Sequence, residues 1–357
     1  MTHIQKLSLA DLGNSLSIES GTLDPKKLTV YGIFRNELFF ARSFLSHYRS
    51  IGVEQFLILD DSSEDGTKEF LASQNDCVIL SSPYSYGQEV TIIDWHSEKP
   101  VRAGVPMKAV IPSHFLTDQW AIYADADEFL FLPPGISTLQ DLIKRLERGS
   151  YRSVASSLVD FFPAQLSFAS TNTPETLDDL INETGYFDTP PLITIDPDKG
   201  KIIRLNKGAS SRILYDHGIY KDHWHLKLLP SFVIRSPHIK KHIMQRSPTY
   251  KTPLIRWNEH VELLSSHRAN IKPHPELILT TAHFKYTSDL ERRIRMAIKL
   301  QSYSNKSKRY FKLAKLLPTK TSDAEMDLLG PELPAILVLY MYRTEQLYDQ
   351  SPYSRGS

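Results

Sequence analysis

The chain reads as an α/β protein with a mostly parallel central sheet flanked by helices. Three observations carry that reading. Apolar runs of strand length alternate with stretches of helical periodicity through the first half, the pattern of parallel strands joined by crossover helices. One such run, from Trp120 to Ala124, stops directly on Asp125, Ala126, Asp127 and Glu128. From about Thr171 the pattern loosens, with prolines at 174, 190, 191, 197, 230, 237, 248, 253, 273 and 275. That half is expected to be irregular and mixed, with helices towards its end.

The elements follow in order. Residues 28–34 form a buried strand ended by Arg35-Asn36-Glu37. Asn36 suits a helix N-cap and Glu37 the first turn. Phe40, Phe44, Tyr48 and Ile51 then recur at helical spacing until Gly52, which stops the helix. Residues 55–59 give a second strand closing on Asp60 and Asp61, with Ser62 and Ser63 placed to cap a helix near 65–73. Strands at 76–80 and 153–161 and helices at 107–117 and 136–146 complete this half. A long helix rich in Lys and Arg is expected over 289–315, with a short one after Pro334.

Composition narrows the classes. At 357 residues, 41% hydrophobic and 23% charged, the chain is an ordinary globular protein. A net charge of +1 gives no general case for nucleic-acid binding. The lone Cys77 cannot form an internal disulfide, which fits a reducing compartment. Segment 1–27 lacks signal-peptide form, and no window approaches the ~20 apolar residues of a membrane span. A soluble cytoplasmic protein is expected. The Asn-x-Ser/Thr triplets at Asn182 and Asn305 read as chance matches.

The chemistry-bearing residues sit at strand ends. A buried strand that stops on acids presents carboxylates at the edge where α/β sheets bind ligands. Three carboxylates in four residues repel one another unless positive charge lies among them. Hard oxygen donors of this kind suit Mg²⁺ or Mn²⁺ bridging to phosphate; an acidic turn after a strand is the plain alternative. Asp60 and Asp61 close the neighbouring strand and offer acceptors to ribose hydroxyls or a base N–H.

Phe34-Arg35-Asn36-Glu37, His47-Tyr48, Ile51-Gly52-Val53, the run from Asp60 to Thr67 and the run from Trp120 to Leu130 together resemble family 2-like glycosyltransferases of the GT-A fold. The order and spacing are similar as well. Lys251-Thr-Pro-Leu-Ile-Arg-Trp257, Ser266-His267-Arg268 and Ala282-His-Phe-Lys-Tyr286 resemble the signature of a bacterial branch found with surface-polysaccharide genes. The resemblance implies a nucleotide-diphosphate sugar donor, transfer with inversion to a glycan or lipid-linked acceptor, and Mn²⁺ or Mg²⁺ held by the Asp-x-Asp pair. By motif, Asp127 is the principal metal ligand, with Asp125 near both ribose and metal. Arg35, Asn36 and Glu37 line the donor pocket, and Asp60 or Asp61 contacts ribose or base. It divides the chain into an extension (1–27), a nucleotide-sugar-binding α/β half (28–170) and an acceptor-side half with C-terminal helices (171–357), fused into one compact unit.

Late residues complete the expected site. His283 follows the strand-like run 277–282 and is a candidate third metal ligand, with strand-capping as the alternative. Lys285, on the same face, suits the diphosphate. Asp160, beside Phe161 and Phe162, is the candidate general base, with a strand-end cap as the alternative, and Glu259 and His267 stand in reserve. Arg256, Trp257 and His267 suit an acceptor site, the indole as a face for a sugar ring; an ordinary core position competes for Trp257. Asp222-His223-Trp224-His225 reads as structural rather than as a zinc site. The basic stretch from Arg292 to Lys315 is a solvated helix face, or a peripheral contact with anionic lipid at the inner face of a membrane.

Other classes fit less well. A nucleotidyltransferase shares strand-end acids and metal, but no glycine-rich loop follows Phe34, and a dinucleotide oxidoreductase fails on the same ground. A haloacid-type phosphatase expects Thr or Val where Glu128 stands. A non-catalytic sugar-binding relative remains the alternative outside enzymes.

Overall fold

The structure, a computed structural model, describes residues 4–96, 99–164, 173–205, 208–216, 247–258, 260–265, 267–302, 306–314, 317 and 341–343. The segment before the first expected strand is folded into β1 (Gln5–Leu7), α1 (Leu9–Asn14) and β2 (Ser17–Ser20). Ser8 caps α1 by accepting from the Asp11 amide, while the Asp11 carboxylate accepts from the Ser8 amide.

The predicted alternation follows: β3 (Thr29–Phe34), α2 (Leu38–Ser50), β4 (Gln55–Asp60), α3 (Thr67–Ala72) and β5 (Cys77–Ser81). Next come β6 (Glu89–Ile92), β7 (Val101–Arg102), α4 (Gly104–Phe115), β8 (Trp120–Tyr123), β9 (Glu128–Phe131), α5 (Leu139–Arg148) and β10 (Ser153–Phe162). The second half holds α6 (Leu177–Thr184), β11 (Tyr186–Asp188), β12 (Ile193–Asp196), β13 (Lys201–Arg204), α7 (Ala209–Asp216) and β14 (Tyr250–Arg256). It ends with β15 (Leu263–Ser265), β16 (Arg268–Ala269), β17 (Ile278–His283), two further helices, α8 (Leu290–Leu300) and α9 (Lys308–Leu313), and β18 (Met341–Arg343).

Among the described residues, eleven strands join one sheet, and it is mixed rather than mostly parallel. β3 runs parallel to β4 and β8, and β4 to β5. The later strand β14 then inserts antiparallel between β8 and β10. β17 pairs parallel with β10 and antiparallel with β9. Those late strands return from far along the chain, so no local crossover dictates their direction.

Both faces of the sheet are covered. Val30 and Phe34 of β3 pack in one apolar layer with Phe40, Phe44 and Phe129; Tyr31, between them, packs in the opposite layer with Met107, Ile111 and Trp257. Each such burial contributes roughly 1.5–3 kcal/mol. α5 shows how sequence sets a helix here. Thr138 caps it by accepting from the Asp141 amide, and Leu139, Leu142 and Leu146 form its buried stripe. In α4, Pro112 has no N–H for the carbonyl of Lys108. That carbonyl instead accepts from the Tyr31 hydroxyl at 2.9 Å, which ties the turn carrying Lys108 to the central strand.

Three local expectations need correction. Asn36 does not cap α2; it adopts φ 55°, and its side chain accepts from the Glu64 amide at 2.6 Å. The free amides at the start of α2 find Thr67 and Asp65 across the neighbouring loop. Ser62 and Ser63 do not cap α3, whose N-cap is Gly66 at φ 91°. The helix expected over 289–315 ends at Leu300, where Gln301 turns left-handed and Ser302-Tyr-Ser-Asn305 supplies poor helix formers. The helix expected after Pro334 and the Asp222 to His225 cluster lie outside the described residues.

Candidate active site

Arg35, Asp61, Asp125, Asp127, His283 and Lys285 line one cleft of about 350 Å³. β3, β4, β8 and β17 deliver them from their carboxyl ends, and α8 adds Arg293, Met296 and Leu300 as a wall. Register explains the convergence. Asp60 lies opposite Phe34, so Asp61 falls at the mouth of β3. His283 lies opposite both Asp160 and Glu128, which brings the expected late histidine to the acidic turn.

The repulsion foreseen among the three acids is met by four cations of the chain itself. Lys251 Nζ donates to Asp125 Oδ2 at 2.7 Å and also bonds Glu128. Lys108 Nζ stands 3.6 Å from Asp125 Oδ1, and the Tyr123 hydroxyl bonds the same carboxylate. Arg293 donates to Asp127 Oδ2 at 2.5 Å, and His283 Nε2 lies 3.2 Å from that oxygen. Burial pushes both aspartates up, but the charges of Lys108 and Lys251 on Asp125, and of Arg293 and His283 on Asp127, outweigh it and hold both well below the usual carboxylate range.

Behind His283, its Nδ1 is bonded to Asp160 Oδ1 at 2.6 Å, and Asp160 Oδ2 accepts from the Ser210 amide at 3.2 Å. Burial lowers the His283 pKa, but Asp127 and Asp160 overcome it and raise the ring to about 10. Asp160 is buried and is not among the cleft-lining residues. It stands one imidazole away from the cleft, bonded to His283.

Glu37 lines the cleft with one carboxyl oxygen buried and, among the described residues, without a hydrogen-bond partner. Burial raises its pKa to about 8, so at neutral pH it carries a proton to donate. Asp61 is held by the Tyr86 amide at 2.8 Å and by Arg35 at 3.5 Å. His267 also lines the cleft, with Nδ1 buried and unpartnered among the described residues; burial, then Lys251 and Lys108, push it down to about 3.

Other expected residues are placed elsewhere. Trp257 is 1% exposed, edge-on to Tyr31 in the core. Arg256 pairs with Glu147 at 3.5 Å. Asp60 accepts from the Ser63 amide at 3.1 Å, and Asn36 bridges two loops beside Met296. None of these four is among the cleft-lining residues. Glu259 lies outside the described residues. Much of the basic helix is paired within the fold, Arg292 with Asp289, Arg293 with Asp127 and Arg295 with Glu291. Among the described residues no helix is long and apolar enough to cross a membrane.

Lys108 and Arg293 were missed as site residues. Lys108 is the one charge in the apolar run from Gly104 to Pro112, and a lone lysine inside such a run was the available signal. Arg293 is indistinguishable in sequence from its basic neighbours.

The donor chemistry fits a divalent cation in part. Among the described residues no three His, Cys, Asp or Glu side chains gather as a ready-made metal centre. Asp127 and His283 nevertheless stand together, and a carboxylate behind the far ring nitrogen is the arrangement that orients metal-binding histidines. Both nitrogens of that ring face carboxylates and Arg293 holds Asp127, so a cation that draws its other ligands from water and phosphate would bind there only with loss of the His283 proton and withdrawal of Arg293.

No protein-family model matches this chain. It is similar to a glycosyltransferase family 92 protein of Oryza sativa subsp. japonica, with 32% identity over 117 residues, 33% of this chain and 18% of that protein. It is also similar to one of Ricinus communis, with 27% identity over 120 residues, 34% of this chain and 20% of that protein. The matched stretch spans about a fifth of the length of these relatives. Their names support a relationship to glycosyltransferases, and they carry family 92 rather than the family 2-like branch.

Proposed function

We propose that the chain is a metal-dependent glycosyltransferase that moves a sugar from a nucleotide-diphosphate donor to a hydroxyl of a glycan or lipid-linked acceptor. The observation that carries this reading is the Asp127–His283–Asp160 chain at the edge of a cleft that is otherwise rich in cations. A divalent cation bound by Asp127 and His283 would neutralise the charge that develops on the β-phosphate as the sugar leaves. The chain's own residues do the rest. Lys285 supplies positive charge for the diphosphate, and Arg293 does so on turning from Asp127. Asp61 and the protonated Glu37 offer an acceptor and a donor to ribose or base. Asp160 holds the His283 ring in one orientation. His267 is too weak a base to take a proton efficiently near neutral pH and suits hydrogen bonding to a sugar hydroxyl. A GT-A fold, inversion at the anomeric carbon and a place in bacterial surface-polysaccharide synthesis are what the family 2-like resemblance adds to this reading. A soluble cytoplasmic enzyme, working peripherally at the inner face of a membrane, belongs to the same proposal.

The test is a thermal-shift panel of UDP-, GDP-, CMP- and dTDP-sugars with and without Mn²⁺, followed by donor hydrolysis with the strongest hit. One nucleotide sugar should raise the melting temperature only with the metal, because a ligand that binds the native state stabilises it. Asp127→Ala should abolish that shift. A response to glycans alone, indifferent to Mn²⁺ and nucleotide, supports a sugar-binding protein and removes the enzyme reading.

A further inference from the structure

We infer that a second pocket, on the outer face of α4, binds one unit of a neutral glycan: the distal part of an acceptor chain whose reacting hydroxyl enters the cleft. This rests on the glycosyltransferase reading above and deepens it. The pocket measures about 300 Å³ and lies between α1, α4, Trp95 and the loop at Val261 and Glu262. Its walls are built in advance. A Cβ at Gly13 would stand 3.1 Å from His114 Nδ1 and 3.3 Å from Val110, so the bare glycine lets α1 lie close on α4. Asp94 Oδ1 accepts from the Leu9 amide at 2.8 Å, which ties α1 to the turn that carries Trp95. Asn270 accepts from the Glu262 amide at 3.0 Å and donates to the His260 carbonyl at 2.8 Å, which fixes the opposite rim.

The lining sets the class of ligand. Val110, Val261 and the indole of Trp95 give apolar surface, on which the C–H face of a sugar ring packs. Asn14, His114 and Glu262 surround it, and among the described residues their side chains make no hydrogen bond or ion pair. Together they offer donors and acceptors to several hydroxyls. Among the described residues no lysine or arginine lines this pocket. A phosphate therefore finds no counter-charge there, and Glu262 repels it. A purely apolar ligand would strip water from the polar rim without replacing its bonds. Two elements join pocket and cleft. α4 turns Lys108 into the cleft and Val110 and Ser113 towards the pocket, and the hairpin of β15 and β16 runs from Glu262 at the pocket to His267 at the cleft. From Glu262 to His267 is five residues, at most ~18 Å of extended chain, a gap that a short oligosaccharide bridges.

The test is calorimetry and saturation-transfer NMR on the full chain, without donor or metal, against neutral hexasaccharides of glucose, galactose, mannose and xylose and against a hexauronate. At least one neutral hexasaccharide should bind, and more tightly than the hexauronate. Trp95→Ala, Glu262→Ala and the pocket-filling Ser113→Trp should each weaken that binding about tenfold or more. Glu262 is exposed, so its variant keeps the fold even if loss of the indole does not. In transfer assays the variants should raise KM for the hexasaccharide, while kcat, donor hydrolysis and KM for the matching methyl monosaccharide hold. Failure of every neutral hexasaccharide to bind, tighter binding of the hexauronate, or binding that all three variants leave intact overturns the inference. Glycan binding lost in the variants, with no donor hydrolysis by the wild type, removes the enzyme reading and leaves the pocket standing as a glycan site.

Discussion

Asp160→Asn separates two roles for the carboxylate behind His283. In the structure Asp160 accepts two hydrogen bonds, from His283 Nδ1 at 2.6 Å and from the Ser210 amide at 3.2 Å. Bonds to an ionised group contribute roughly 1.5–3 kcal/mol and neutral ones about 0.5–1.5. The amide keeps one acceptor but sets its NH₂ against the other donor. His283 should therefore lose about 1–2 kcal/mol of orienting energy, which at about 1.4 kcal/mol per factor of ten weakens Mn²⁺ binding roughly five- to thirtyfold. The assay is Mn²⁺ calorimetry on both proteins beside steady-state turnover of the donor. A lost general base would instead cost ~10²–10⁴ in turnover with metal binding intact. Unchanged Mn²⁺ affinity with turnover reduced on that scale would refute the positioning role and return Asp160 to the chemistry.

Three further outcomes are expected. His47 is buried with Nε2 2.8 Å from the Leu130 carbonyl, and burial lowers its pKa to about 4. Its contribution to stability is present above the unfolded value near 6.5 and disappears as pH falls towards 4, by about 3 kcal/mol at ~1.4 kcal/mol per unit. Urea titrations of wild type and His47→Phe from pH 7 to pH 4 should show that component in the wild type alone. Phe129, fully buried between Phe44 and Phe284, should cost roughly 3–5 kcal/mol on truncation to Ala, read as a lowered urea midpoint. A Cβ at Gly104 would stand 1.9 Å from the ring of Tyr86, a wall of the cleft. Gly104→Ala should displace that ring and weaken nucleotide binding; unaltered binding would show that Tyr86 does not shape the donor pocket.

The first half of the fold was legible because its strands and helices are local and nearly pure in period. β3, β4 and β5 each read as an apolar run, and α2 as aromatics at helical spacing. Sheet direction was not legible. β14 and β17 reach β8 and β9 across more than a hundred residues, and nothing in their own composition states which way they run. Helix caps failed for a related reason: the amides of α2 are satisfied by Thr67 and Asp65 from another loop, while Asn36, the obvious cap, is spent bridging. The acids and His283 were legible as strand-end residues. Their partners were not, since Lys251 and Arg293 become counter-ions only through long-range register, and Asp160 recedes behind His283 through the same pairing. Trp257 shows the converse, an aromatic that reads as a sugar platform and is used as core.

Anomalous scattering from crystals grown with Mn²⁺ and the best nucleoside diphosphate would test the central claim most directly. The account predicts one strong peak within coordination distance of both Asp127 and His283, with diphosphate oxygens on its far side and Arg293 turned from Asp127 to the phosphate. A nucleotide bound in the cleft with no peak between those two side chains would contradict it.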